Sequence, residues 1–389
     1  MKPLLFDLAA TQPSGAVAFH GGADYAKEVF YSLMSMRGDR PITFFYDKHR
    51  PLDPSIRAFF NTSGCLFTGI RPDRDLQDLL RTTRFATFYS ALSRASYADL
   101  EMEGARFLVT IHGLRAIEMP GDAYELKYGW NARQLISYCY RKCWPDHDYR
   151  RKLALYEAVA ARASLVFAPT YHTKFALLSS VPGLHEAQVK VVYSPRKRMT
   201  EEGDDLPASR FGVDHKDYIL LVSACRWLKN SLRVVEALDE LYTHGAELPA
   251  KVLLLGATRP SVFSHLRNKN RFVFRGYVSE PELQACYRNA ALFIYPSLNE
   301  GFGYPPLEAM RHGTPVMASA ISSIPEVCGA AATYFNPFSK LEIRTRIMQC
   351  LGQPDVLEKM RHAGPLHARW MAAQQDQMLA GLTSEVLSR

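Results

Sequence analysis

Residues 295–316 read YPSLNEGFGYPPLEAMRHGTPV. Just before them, ALFIYPS is apolar and aromatic enough for a buried strand ending near Pro296. Pro305 and Pro306 then suit the first turn of a helix, where a missing N–H costs little. LEAMRH carries that helix on, Gly313 offers a left-handed cap, and Pro315 lies beyond it. A new apolar run, PVMAS, follows at once. The stretch is a strand, a turn, a helix and another strand, which is the repeating unit of a parallel α/β sheet.

The same alternation runs through most of the chain. In the first half the strand-like runs are KPLLFDLAA, RPITFFYD, ATFYSAL, RFLVTIH, SLVFAPT and KVVYSP. In the second half they are YILLVSA, KVLLLGA, RFVFRGY, ALFIYPS, PVMAS and AATYFN. Residues 194–217 break the rhythm with a polar, mixed-charge stretch, and they separate two α/β blocks of similar size. The expected division is residues 1–195, residues 196–365, and a terminal helix over 366–389 that packs back on the first domain.

The 389 residues carry a net charge of +8, which favours anionic partners. No run of about 18 uncharged apolar residues exists, so a membrane-spanning helix is not expected. The opening MKPLLFDLAA reads as a first buried strand rather than a signal peptide. Seven scattered cysteines with no C-x-x-C pair fit reduced thiols in the cytoplasm and argue against a zinc site.

Turns such as 296–303 emerge at the carboxyl edge of a parallel sheet, where open α/β folds bind ligands. Gly301 and Gly303 let backbone approach a ligand closely. A helix start favours a phosphate there. Glu308 can accept hydrogen bonds from a vicinal diol such as a ribose, and Glu300 can reach another part of the same ligand. VSACRWLKNSL adds Arg226 and Lys229, a fork and a point charge for a diphosphate, with Asn230 or Ser231 as the cap of the next helix. The second block therefore reads as a holder of a nucleotide diphosphate that needs no metal.

Taken together, Glu300-Gly-Phe-Gly-Tyr-Pro-Pro-Leu-Glu308 resembles the Glu-x7-Glu signature of retaining, nucleotide-sugar-dependent glycosyltransferases of family 4 (group 1). The resemblance continues through RFVFRGYVSEPELQACYRNAALFIYPS and AMRHGTPVMASAISSIPEVCGAAATYFNP, tightly over about residues 218–340. It implies the GT-B fold, two facing Rossmann-like α/β domains with a central cleft. It implies that Glu308 holds the ribose and that Arg226 and Lys229 hold the diphosphate. Glu300 and the segment Gly301, Phe302, Gly303 and Tyr304 would meet the donor sugar, with Leu307 and Asn230 lining the same site. Tyr304 stands where an aliphatic residue is common, and the step from Arg226 to Lys229 is shorter than in many members. In the first half, HGGADYAKEVFYSL resembles the family's glycine loop, which brings in Gly21 and Gly22, and FLVTIHGL places His112 near the donor sugar.

The function expected from this is transfer of a hexose, mannose first, from a nucleotide diphosphate sugar to a glycan or lipid-linked acceptor in bacterial surface polysaccharide synthesis. No cofactor, metal or nucleic acid partner is expected. Two D-x-D triplets, Asp73–Asp75 and Asp146–Asp148, are read as chance rather than metal ligands. Three rivals stand: a sugar-nucleotide epimerase, a hydrolase using Glu300 and Glu308 as its carboxylate pair, and a nucleotide-sugar-binding protein without turnover. Residues 124–152 mix aromatics such as Tyr128, Trp130, Tyr138, Tyr140 and Trp144 with arginine and lysine. They read either as an acceptor-binding insertion or as a contact with the cytoplasmic face of the inner membrane.

Overall fold

Two parallel sheets organise the chain, each in a unit of its own. The structure is a computed structural model, and it describes residues 2–13, 21–119, 121–129, 131–198 and 206–388. The first unit comprises Met1–Leu114, Tyr149–Arg198 and Ala372–Arg389, and the second Arg115–Asp148 and Met199–Met371. Trp130, one of the aromatics named above, lies outside the described residues.

In the first unit, among the described residues, the strands are β1 (Leu4–Asp7), β2 (Ile42–Asp47), β3 (Leu66–Ile70), β4 (Thr87–Ser90), β5 (Arg106–Thr110), β6 (Leu165–Ala168) and β7 (Val189–Val191). They pair in the order β3-β2-β1-β4-β5-β6-β7, every neighbour parallel. Phe6 is fully buried and meets Phe44 of β2 at 5.5 Å and Phe30 of the first helix at 6.4 Å, both edge to face. Such aromatic pairs add about 0.5–1.5 kcal/mol beyond their burial. The last helix spans Pro354–Leu387, and its C-terminal part belongs here. Leu382 and Val386 enter the core, and Glu385 accepts from Arg106 at 2.7 Å.

In the second unit the strands are β8 (Tyr218–Leu221), β9 (Lys251–Leu254), β10 (Phe272–Phe274), β11 (Leu292–Tyr295), β12 (Val316–Ser319) and β13 (Ala332–Phe335). Their order is β10-β9-β8-β11-β12-β13, again all parallel. The four residues of β8, β11 and β12 are buried on both faces, as helices above and below require. The strand order turns back on itself between β8 and β11. Chains leaving those two strands diverge to opposite sides and open a crevice at their carboxyl ends.

Two expectations need revision. The strand β3 was not anticipated: Leu66 is 61% exposed, Gly69 interrupts the run, and the strand is a sheet edge. Residues 115–148, expected in the first domain, group with the second unit.

Candidate functional site

Two loops leave the crevice between β8 and β11, and hydrogen bonds knit them together. After β8 the chain passes Ser223 in a left-handed conformation (φ 54°), makes a short 3-10 turn over Trp227–Lys229, and reaches Asn230, also left-handed (φ 55°). After β11 it runs through Ser297, Leu298 and Asn299 to Glu300. The Leu298 amide donates to the Leu228 carbonyl at 2.8 Å, and Ser297 Oγ lies 3.3 Å from the same carbonyl. A third loop, after β12, closes on the second. Ser322 Oγ accepts from the Glu300 amide at 3.1 Å, while Ser323 Oγ donates to the carbonyls of Glu300 and Phe302 at 2.9 and 3.1 Å.

Glu300 sits where these loops meet and is 9% exposed. Its Oε1 accepts from Lys229 Nζ, from Ser297 Oγ, and from Tyr295 Oη at 2.7 Å. Its Oε2 faces the Arg115 guanidinium at 3.9 Å. Burial, the largest single effect, would raise this carboxyl, but the Lys229 charge and the other favourable contacts together outweigh it. With the hydrogen bonds from Lys229 and Ser297 and the charge of Arg115, its pKa falls to about 2. Burial also lowers the Lys229 ammonium from its usual range, and the Glu300 charge offsets part of that. Arg226, three residues earlier, is exposed and adds positive charge beside Lys229.

The helix over Tyr304–Arg311 begins at Gly303, whose φ of 97° only glycine adopts freely. Gly313 (φ 69°) follows its end. Pro305 and Pro306 stand in its first turn and carry no N–H, so this start offers fewer anion donors than an ordinary helix. Glu308 lies on its second turn, half-buried, and its charge helps push the Tyr287 hydroxyl up, after burial. Phe302 and Leu307 are buried, and the Phe302 ring meets Tyr304 edge-on at 5.4 Å.

Asn230 does not cap the next helix, Ser231–Thr243. Its Oδ1 accepts from Arg233 at 2.6 Å and its Nδ2 donates to the Pro337 carbonyl at 2.8 Å. The cap comes instead from Tyr128, whose hydroxyl accepts from the Leu232 amide at 2.8 Å. The sequence reading missed this residue's role, together with Ser322, Ser323 and Arg115.

The other residues singled out belong to the first unit. Gly21 and Gly22 are the first residues of the helix Gly21–Met36. His112 follows β5. Its Nε2 lies 2.8 Å from the Ala91 carbonyl, an acceptor only, so that nitrogen carries the proton. The ring packs edge-on against Tyr25 at 4.7 Å. Both D-x-D triplets lie in first turns of helices, and Asp75 is paired with Arg71 at 2.9 Å.

The structure brings Glu300, Lys229, Arg226 and the glycine turn onto adjoining loops of one sheet, with Glu308 on the helix that follows. The profile of the family Glycosyl transferases group 1 matches residues 216–353, the same sheet and loops. Over those residues the second unit is similar to the group 1 glycosyltransferases.

Among curated relatives, the serotype-specific mannosyltransferase WbdA of Escherichia coli is 44% identical over 82 residues, 21% of this chain and 10% of that protein. The O-antigen chain mannosyltransferase RfbU of Salmonella typhimurium is 36% identical over 97 residues, 25% of this chain and 28% of that protein. The matched stretches thus span between a tenth and just over a quarter of these relatives. Among solved structures, Anabaena Alr3699/HepE in complex with UDP and glucose aligns over 99% of this chain and all of that one, with a TM-score of 0.68 and 15% identity. WaaG, a glycosyltransferase involved in lipopolysaccharide biosynthesis, aligns over 99% of this chain and 98% of its own, with a TM-score of 0.59 and 15% identity. The fold is GT-B, and the residues that the family profile matches build its second sheet.

Proposed function

We propose that the protein is a retaining, metal-independent hexosyltransferase. It moves a hexose from a nucleotide diphosphate sugar, mannose from its nucleotide donor first, to a glycan or lipid-linked acceptor of a bacterial surface polysaccharide. One observation carries the reading: a buried, ionised Glu300 locked to Lys229 at the mouth of the sheet crevice, with a second carboxylate, Glu308, on the helix that follows. The mannosyltransferase relatives support the sugar and the product class.

In this reading the bond between the anomeric carbon and the diphosphate breaks as the acceptor oxygen bonds to that carbon from the same face. The nucleoside diphosphate leaves with the bonding electron pair, and one of its oxygens takes the acceptor's proton. Positive charge grows on the sugar ring and negative charge on the leaving group. Arg226 and Lys229 oppose the latter, and Glu300 the former. Preorganised groups of this kind are worth about 3–4 kcal/mol each when removed. An ionised Glu300 has no proton to give near neutral pH, which disfavours a hydrolase that needs it as a general acid.

The helix Ala132–Cys143 supplies the proposed contact with acceptor or membrane. None of its residues is buried. Ile136 is 69% exposed, Cys139 and Cys143 are exposed, and Trp144 just beyond is 59% exposed. Arg133 and Lys142 on the same segment suit an anionic headgroup layer at the cytoplasmic face. No helix among the described residues is long and apolar enough to cross a membrane.

The test is a panel of sugar nucleotides, including GDP-mannose and UDP-glucose, read first by thermal stabilisation. A donor at 100 times its dissociation constant adds about 2.7 kcal/mol. The stabilising donor is then incubated with glycan acceptors and the anomer of the product read by NMR. Glu308→Gln and Lys229→Ala should each cut transfer by orders of magnitude. Normal turnover in both variants, an inverted product, or donor consumption without any acceptor would sink the assignment.

A further inference from the structure

The stretch over residues 115–128 lies in sequence between strands of the first sheet, yet it is built into the second unit around the crevice loops. Among the polar contacts that fasten it there, three bear on the crevice loops and the helix after them. Glu118 Oε2 accepts from Asn299 Nδ2 at 2.8 Å, one residue before Glu300. Both carboxylate oxygens of Asp122 accept from Arg233 Nη2, at 3.0 and 2.9 Å, and the side chains of that pair are 10% and 6% exposed. The Tyr128 hydroxyl caps the helix that follows Lys229 and Asn230. The stretch therefore grips the loop that bears Glu300 and the helix that follows the cationic turn.

Arg115 opens this stretch. Its guanidinium lies 3.9 Å from Glu300 Oε2, and its side chain remains 44% exposed. Its charge acts on both Glu300 and Lys229. The local charge balance then matters. Lys229 is bonded to Glu300, so one positive and one negative charge offset each other. Arg226 and Arg115 remain as the surplus, two guanidiniums beside a turn whose helix start has lost two amide donors to Pro305 and Pro306. A diphosphate there has to be held chiefly by side-chain cations, and two planar forks match its paired oxygens.

We propose that Arg115 is a diphosphate-binding residue of this donor site, held in place by the Glu118–Asn299 and Asp122–Arg233 contacts. This rests on the transferase reading above, and it adds to the Arg226 and Lys229 pair a third cation from a distant part of the chain. Arg115 contributes to the leaving group rather than to the nucleoside. It therefore discriminates nucleoside diphosphates from monophosphates.

The experiment is calorimetric titration of the full chain with UDP, GDP and ADP and with the matching monophosphates. The wild type should bind one of the diphosphates. Arg115→Ala should weaken that diphosphate tenfold or more while leaving the monophosphate within threefold, and Arg115→Lys should regain part of the loss. Glu118→Ala, which frees the anchor without touching the cation, should show the same selectivity. A loss below tenfold in Arg115→Ala, or an equal loss for the monophosphate, overturns the proposal and leaves the transferase reading standing. A wild type that binds none of the three diphosphates overturns both.

Discussion

Lys229 Nζ and Glu300 Oε1 form an ion pair with both side chains nearly buried, 13% and 10% exposed. Three strands, β9, β10 and β11, and four helical segments lie between the two residues in sequence, yet they hold the loops after β8 and β11 together. The carboxylate is pulled to about 2, against an ordinary value near 4.5. A group depressed in the folded state stabilises it fully above the unfolded pKa, and that stabilisation is lost as pH falls through the folded value. Stability should therefore be level with respect to this pair from neutrality to about pH 5. It should then decline between about 4.5 and 2. Urea midpoints measured across that window should show the decline in the wild type and a shallower one in Glu300→Gln.

Removing one partner of the pair should cost more than removing both. Lys229→Met leaves a buried carboxylate without its cation, and breaking such a pair costs about 3–5 kcal/mol. The double change Lys229→Met with Glu300→Gln should recover a large part of that loss in stability while remaining inactive. A double-mutant cycle of denaturation midpoints with transfer assayed alongside separates the two effects. Additive stability losses would show that the pair is not coupled.

The positions of the strands and the glycine turn were legible because both depend on local signals. Apolar runs of β-branched and aromatic residues announced twelve of the strands, and Pro305, Pro306 and Gly313 marked the helix ends. The strand β3 was not legible, since an edge strand with Leu66 facing out and Gly69 within it lacks the buried pattern. The placement of residues 115–148 was not legible either. It is decided by contacts such as Asp122 with Arg233, 111 residues apart, and by the hydroxyl of Tyr128 on Leu232, 104 residues away. No local periodicity encodes such pairings. Asn230 was read as a cap from its residue type, but its left-handed backbone turns the side chain to Arg233 and Pro337.

Arg233 is buried between Asp122 and two rings, its guanidinium 3.8 Å from the Tyr124 centroid and 5.6 Å from that of Phe338. Asp122→Ala should strand that charge and destabilise the second unit by about 3–5 kcal/mol. Tyr128→Phe removes only a capping oxygen and should cost about 1 kcal/mol. Chemical denaturation followed by Trp227 fluorescence, against a Trp227-only background, reads both. A smaller loss for Asp122→Ala than for Tyr128→Phe would contradict the packing described.

Gly303 precedes the helix that carries Glu308, and its backbone sits at φ 97°, ψ 73°. A Cβ built there meets Tyr295 Cε1 at 3.6 Å and Glu300 Cγ at 3.8 Å, ordinary contact distances. The cost of Gly303→Ala is therefore conformational rather than steric. A left-handed backbone costs a non-glycine residue about 1–2 kcal/mol. Gly276→Ala is the matched control, because a Cβ at Gly276 meets nothing within 4 Å and its φ is not positive. The prediction is a stability loss of that size in Gly303→Ala and almost none in Gly276→Ala. Relief of the strain would turn the helix start and shift both glutamates. Donor KM should then rise in Gly303→Ala, by more than its stability loss alone explains at a temperature where both variants are folded. Equal midpoints and equal KM for the two variants would show that the left-handed turn is not needed.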